Sequence, residues 1–179
     1  AEKARATLLA AVALQNAGKD LEAFNAAAEA LTTPRPYDVW ARAERTYASR
    51  RNAKLKLAEN ERVTLEDAQA LAGASDPWSR FAAARAFLAL GLVATQDNRL
   101  AEARTLLDSS YDLMRSTDSQ SGLASVFMEL GKLKAWQGRG DESVLNLLSG
   151  LAIWRGLNEK RSVGIWHEIG STLLHSRHY

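Results

Sequence analysis

Phe87-Leu88-Ala89-Leu90-Gly91 and Phe127-Met128-Glu129-Leu130-Gly131 carry the same pattern, aromatic-x-x-Leu-Gly, and Trp166-His167-Glu168-Ile169-Gly170 repeats it with Ile for Leu. The three glycines stand 40 and then 39 residues apart. Self-similarity at a fixed period of this length is the signature of a repeat architecture, and it changes how every other residue is read. The agreement continues downstream. Gly91 is followed twelve residues later by Ala103 and Gly131 by Ser143, each small and each opening an apolar stretch, with Leu107 and Leu147 four residues further on. Residues four apart share one helix face. Between the two stretches of each unit lie turn sequences, Gln96-Asp97-Asn98-Arg99 and Gln137-Gly138-Arg139-Gly140. Each unit therefore reads as helix, tight turn, helix.

Working outward, the same plan appears in weaker form near the start. Leu8 to Gln15 reads as a first helix, Asn16-Ala17-Gly18-Lys19-Asp20 as a turn, and a second helix holds Ala23, Ala27 and Ala30, with Ala11 in place of the glycine. Ala11 and Gly91 are separated by twice the period, which predicts a degenerate unit between them: a long basic helix from Tyr37 to about Lys56, then a helix from Leu65 to about Leu71. Thr64, three residues before Asp67, is a side-chain cap for that helix. Asp76 caps the next, with Pro77 at the first helical position. The expected organisation is one domain over 1–179, with units at 1–36, 37–75 (degenerate), 77–117 and 118–158 and an unpaired C-terminal helix at 160–176, about nine helices in all.

Composition agrees with an all-helical chain. The 179 residues are 46% hydrophobic with 11 Gly and only 3 Pro, enough apolar material for a continuous core. All three prolines, Pro34, Pro36 and Pro77, fall outside the periodic apolar segments, and no alternating β-branched run suggests a strand. The 23 basic and 21 acidic side chains are spread evenly, so net charge dictates no polyanionic partner. With no cysteine, disulfides and thiolate metal sites are excluded, and a cytoplasmic setting is the simplest expectation. The longest mostly apolar stretch, Phe81 to Ala94, contains Arg85 and falls short of the roughly 20 residues a bilayer span needs, so no membrane partner is expected. The chain opens with Ala1 inside an expected helix, without an initiator Met, which reads as a fragment of a longer protein.

Phe87, Leu90, Gly91, Ala103 and Leu107, and again Phe127, Leu130, Gly131, Ser143 and Leu147, resemble the consensus of the tetratricopeptide repeat: an aromatic, a Leu-Gly pair, a small residue, then a large one. Ser143 replaces the usual alanine, and the closing proline is missing from both copies. A period near 40 instead of about 34 is similar to the longer repeats of bacterial signalling and transcriptional regulators, as is the phrase Leu151-Ala152-Ile153-Trp154-Arg155-Gly156-Leu157-Asn158-Glu159-Lys160-Arg161. The good matches cover about residues 79 to 175. The resemblance implies a right-handed α-α solenoid, a superhelix of antiparallel helix pairs. It also implies a protein- or peptide-binding scaffold, the sensor or interaction region of a larger regulator, with no chemistry of its own. A glycine inside a helix costs about 1 kcal/mol against alanine, so Gly91 and Gly131 need a packing reason. The expected one is close approach to Ala103 and Ser143, while Phe87, Leu107, Phe127, Leu147 and Trp166 fill the seams between units.

In such arrays the first helix of each pair lines a concave face. Carried over by offset from the glycines, its positions are Arg85, Leu88, Leu92, Thr95 and Gln96, then Ser125, Met128, Lys132, Ala135 and Trp136, then His167 and Ser171. On the binding reading Arg85 and Lys132 grip a carboxylate or carbonyl and Met128 and Trp136 are apolar anchors. On the bland reading the cations are solvated helix charges and the apolar residues pack the seams. Arg42, Arg45, Arg50, Arg51, Lys54 and Lys56 form a basic stretch suited to phosphate contact. They spread around the helix among acidic neighbours, so a solvated face is preferred and a nucleic-acid partner is the lesser expectation. Trp40 and Tyr47 read as core. His167, His175 and His178 lack a completing carboxylate and make a poor metal set. No phosphate loop, nucleophile motif or cofactor signature is present, so no enzyme activity is expected. The remaining alternatives are a small-molecule sensor with an apolar pocket between helices, and a homo-oligomer built through the exposed terminal helix.

Overall fold

The structure, a computed structural model, describes residues 1–157 together with 170 and 172. Among these residues the chain is all-helical: α1 (Glu2–Asn16), α2 (Asp20–Ala28), α3 (Tyr37–Arg51), α4 (Leu65–Ala72), α5 (Pro77–Gln96), α6 (Leu100–Ser116), α7 (Gln120–Trp136) and α8 (Gly140–Leu157), with one 3₁₀ turn at Glu59–Glu61. No helix among the described residues is long and apolar enough to cross a membrane. The expected helix over 160–176 lies almost wholly outside the described residues, although Gly170 and Thr172 are helical and the Thr172 and Ser143 hydroxyls are 3.5 Å apart.

Helices adjacent in sequence pack on one another except α3 and α4, and α1, α3, α5 and α7 also meet one another in series. The core is correspondingly continuous from Leu8 through Trp40, Leu88 and Leu107 to Leu133, with a satellite of Leu147, Leu151 and Trp154 between α7 and α8. Trp40, fully buried, lies edge-on to Phe81 with ring centroids 4.8 Å apart. The expected caps are present: Thr64 and Asp67 form a reciprocal capping box, and Asp76 accepts from the Ser79 amide ahead of Pro77.

Four turns share one construction. Gly18, Asn98, Asp118 and Gly138 each take a left-handed backbone, with φ of 76°, 59°, 50° and 72°. In each case the following amide reaches back five residues to a helical carbonyl: Lys19 to Leu14, Arg99 to Ala94, Ser119 to Met114 and Arg139 to Lys134. That is the Schellman closure of a helix C-terminus. At three of them a basic residue then pairs with a glutamate one turn later, Lys19 with Glu22, Arg99 with Glu102 and Arg139 with Glu142, just before the small residues Ala23, Ala103 and Ser143. The turn thus repeats at the same interval as the glycines.

The second unit departs from the plan. By the spacing of the others its second helix would begin at 60, whereas the local sequence places it from Leu65, and α4 does begin there. The first helix departs from expectation: α3 stops at Arg51, where Asn52 turns extended. The helix expected to continue to Lys56 is therefore five residues shorter. Glu59 and Arg62 hold the places of the turn pair with their signs exchanged, 3.4 Å apart. Moreover α4 lies against α5 and hardly touches α3. Polar contacts bridge the gap: Arg45 to Glu61 at 2.7 Å, the Val63 amide to Thr46 Oγ1 at 3.2 Å, and Arg42 to Asp67 at 2.7 Å.

The glycine crossings are tight, and the nearest approach is by the leucine one turn beyond the expected small residue. A Cβ on Gly91 would stand 2.7 Å from Leu107 Cδ2, and one on Gly131 would stand 2.7 Å from Leu147 Cγ and 3.2 Å from the Ser143 carbonyl oxygen. The missing side chain admits a leucine from the paired helix, one turn beyond the small residue. Leu107 and Leu147 therefore fill the inside of a pair and not the seam between units. That seam includes Tyr111 and Phe127, edge-on at 5.6 Å. Gly156, with nothing within 4 Å, is free of such constraint. Gly91→Ala and Gly131→Ala are expected to lower stability by about 1–3 kcal/mol in urea denaturation. The loss is larger at Gly131, where a backbone carbonyl has to yield, while Gly156→Ala gains about 0.5–1 kcal/mol.

Candidate functional site

Concave-face reasoning places functional side chains on α5 and α7, and the structure divides them into two groups. Leu88 and Leu92 are buried in the core, and Thr95 and Ser125 are buried with their hydroxyls donating to the Gly91 and Ser121 carbonyls. Arg85 is enclosed as well. Its Nε donates to Glu44 Oε1 and its Nη2 to Glu44 Oε2, both at 2.6 Å, and Nη2 also donates to Gln15 Oε1 at 3.0 Å. The side chains of Arg85 and Glu44 are 3% and 0% exposed. Arg85, Leu88 and Leu92, expected on the ligand-facing side, are covered by neighbouring helices. His167 and Ser171 lie outside the described residues.

The second group reaches solvent. Met128 is half-buried against the satellite core, Lys132 is 25% exposed, and Gln96 and Trp136 are exposed, Trp136 to 59%. Gln96 donates to the Arg50 carbonyl at 3.0 Å, which brings the end of α5 to the end of α3. Lys132 and Trp136 lie one turn apart on α7 and share a face. Ala135 is half-buried on the same turn.

Behind this surface runs a polar chain that links the first helices of the units. Gln15 on α1 donates to the Glu44 carbonyl at 2.8 Å, and the Trp40 indole donates to Glu44 Oε1 at 2.8 Å. Tyr47, also on α3, donates its hydroxyl to Glu129 Oε1 on α7 at 2.7 Å, and Lys132 Nζ donates to the same oxygen at 3.3 Å. Arg51 closes the set, donating to the Gln15 carbonyl at 3.3 Å and standing 3.7 Å from Asp20. The cations Arg51, Arg85 and Lys132 are matched by the carboxylates Asp20, Glu44 and Glu129. The set is neutral as a whole, so it does not attract a polyanion.

Burial sets the chemistry of these groups. Desolvation would lower the Arg85 pKa, but the Glu44 carboxylate beside it outweighs this and holds the guanidinium above its ordinary value. Burial raises Asp20, with Arg51 and Lys132 pulling it back. Burial and the neighbouring Glu129 charge push the Tyr47 hydroxyl well above its ordinary value of 10.0. Among these groups no nucleophile stands beside a solvent-accessible base.

The basic stretch on α3 is largely spent inside the protein. Arg42 pairs with Asp38 and Asp67, Arg45 pairs with Glu61 and donates to the Phe24 carbonyl, and Arg51 serves the chain above. Arg50 pairs with Asp97 at 3.5 Å, and Lys54 and Lys56 lie beyond the helix end in the segment after Arg51. The glutamate that receives Arg85, Glu44, lies in the sequence between the bases Arg42 and Arg45. What marks it is the Trp40-x-x-x-Glu44 spacing, which sets an indole donor and a carboxylate on one buried helix face.

No protein-family model matches this chain, and neither a curated protein nor a solved structure does so.

Removing Arg85 strands a buried carboxylate. Arg85→Met is expected to lower stability by about 3–5 kcal/mol in urea denaturation. Arg85→Lys loses less, because it keeps the charge without the two-pronged geometry. Tyr47 supplies a pH test. Its folded-state pKa is raised, so its contribution is complete below pH 10 and drains away as pH climbs beyond, where only the unfolded chain releases the proton. The stability difference between wild type and Tyr47→Phe is therefore expected to shrink between pH 10 and 11.5 by up to about 1.4 kcal/mol per pH unit, read by urea midpoints at each pH.

Proposed function

We propose that this chain is a helical-repeat binding scaffold, a solenoid of antiparallel helix pairs that takes a peptide or protein segment and performs no chemistry. The observation that carries the reading is Trp136, 59% exposed on the last turn of α7 with Lys132 one turn before it. A large aromatic left in water beside a cation is the usual composition of an interface anchor. The bland alternative, seam packing, does not suit so exposed a ring. Three further features support the reading. The turns and glycine crossings recur at one interval, the helices α1, α3, α5 and α7 meet in series, and the polar chain behind them fixes their spacing. A neutral, rigid backing lets a segment with few charges bind without a large electrostatic penalty.

By its resemblance to long-period tetratricopeptide arrays, we infer that the chain is the sensor or interaction region of a larger bacterial regulator. On that reading, a ligand held at α7 biases a distant module by binding one of its states more tightly than the other. Selection of a displayed random peptide library on the folded chain tests the binding surface. Enriched peptides are expected to lose at least tenfold in affinity on Trp136→Ala and several-fold on Lys132→Glu, measured by calorimetry, with circular dichroism unchanged. Peptides that bind both variants as well as wild type remove this surface from consideration.

A further inference from the structure

The second unit lacks the last turn of its first helix and the first turn of its second, and the space they vacate is not filled. A cavity of about 320 Å³ stands there, between α3, the 52–63 segment and the outward side of α5. Water occupies about 30 Å³ per molecule in the liquid, so this volume is equivalent to roughly ten waters, at the lower end of the range for small-molecule sites. It is too large for a packing defect and too small for a helix.

The lining has two characters. Leu57, Val63, Leu90 and Val93 give it apolar walls, of which Val63 is buried. Around them stand three cations, Arg50, Lys56 and Arg62, and no carboxylate among the described residues belongs to the lining. Arg50 and Arg62 have only loose, solvent-exposed ion pairs, to Asp97 at 3.5 Å and to Glu59 at 3.4 Å, with Glu59 87% exposed. Lys56 makes no ion pair among the described residues. Exposed pairs of this kind contribute little and are readily exchanged for a better partner. The contrast with the neutral chain of Arg85, Glu44 and Glu129 is direct: there each cation meets a buried or half-buried acid, whereas here positive charge faces an apolar hollow.

We propose that this cavity binds a small amphipathic anion, a monocarboxylate whose apolar body lies on Leu57, Leu90 and Val93 and whose carboxylate is met by Lys56, Arg50 and Arg62. The site belongs to the broken unit and does not depend on the peptide-binding reading of the Trp136 surface. Octanoate carries both required features and is the test ligand. Calorimetric titration of the full chain is expected to show one saturable site. Octanamide, which lacks the charge, and acetate, which lacks the body, are expected to bind at least tenfold more weakly.

The double variant Lys56→Gln/Arg62→Gln changes exposed residues only and is expected to stay folded by circular dichroism and to lose at least tenfold in octanoate affinity. Val93→Phe, which fills the hollow, is expected to abolish binding. Lys54→Gln, a cation on the same segment but outside the lining, leaves affinity unchanged. Absence of saturable octanoate binding by the wild type overturns the proposal. So does equal affinity for octanamide, or octanoate binding that survives both the double variant and Val93→Phe.

Discussion

A carboxylate taken out of water has to be met by charge and hydrogen bonds, and Glu44 is met from three directions: two donors of the Arg85 guanidinium and the indole of Trp40. Because those donors come from α5 and α3, and Gln15 from α1 joins both Arg85 and the Glu44 backbone, the pair sets the spacing of three helices at once. Tyr47 extends the tie to Glu129 on α7. Apolar packing alone tolerates sliding of one helix along another, whereas buried charge and hydrogen bonds allow one register. Hence the α1, α3, α5, α7 series has a fixed geometry, and the surface formed by Lys132 and Trp136 stands on a rigid backing.

The second structural device is repetition of a turn. A left-handed residue, a basic residue and a glutamate one turn later close one helix and open the next within three residues, at Gly18, Asn98 and Gly138 alike. Short closure of this kind leaves the paired helices side by side, and in the α5–α6 and α7–α8 pairs the glycine on one accepts the leucine of the other. Where the turn chemistry is altered, at Glu59 and Arg62, the pairing is lost. Helix α4 then leans on α5 and is tied to α3 by Arg42 on Asp67, while Arg45 and Thr46 hold Glu61 and Val63 in the segment before it. Arg42 and Arg45 of α3 thus bridge the defect. The same defect leaves the cation-rimmed hollow beside Leu90 and Val93.

Most of the helices and their caps were legible in the sequence because they are local matters. Thr64 with Asp67, and Asp76 with Pro77, depend only on residues within one turn, and the aromatic-x-x-Leu-Gly pattern needs nothing beyond its own copies. The turn motif is local as well, but Lys19-x-x-Glu22, Arg99-x-x-Glu102 and Arg139-x-x-Glu142 look like ordinary surface pairs until they are aligned on the left-handed residue before them. The early end of α3 was less accessible. Arg50 to Lys56 has no proline to stop a helix, and the stop falls at Asn52, which turns extended and accepts from the Lys54 amide on its Oδ1 at 3.1 Å.

By itself the sequence determined an all-helical chain, its repeat interval, its caps and the small residues at its crossings, because each follows from backbone sterics and helix periodicity over a few neighbouring positions. Tertiary structure alone decided that Leu107 and Leu147 enter the gaps at Gly91 and Gly131, that Arg85 is spent on Glu44 instead of a ligand, and that Trp136 stays in water. Those outcomes depend on which side chain of a distant helix arrives at a given point. A single shift of one turn, about 5.4 Å along a helix, would exchange every one of these partners without altering any local pattern.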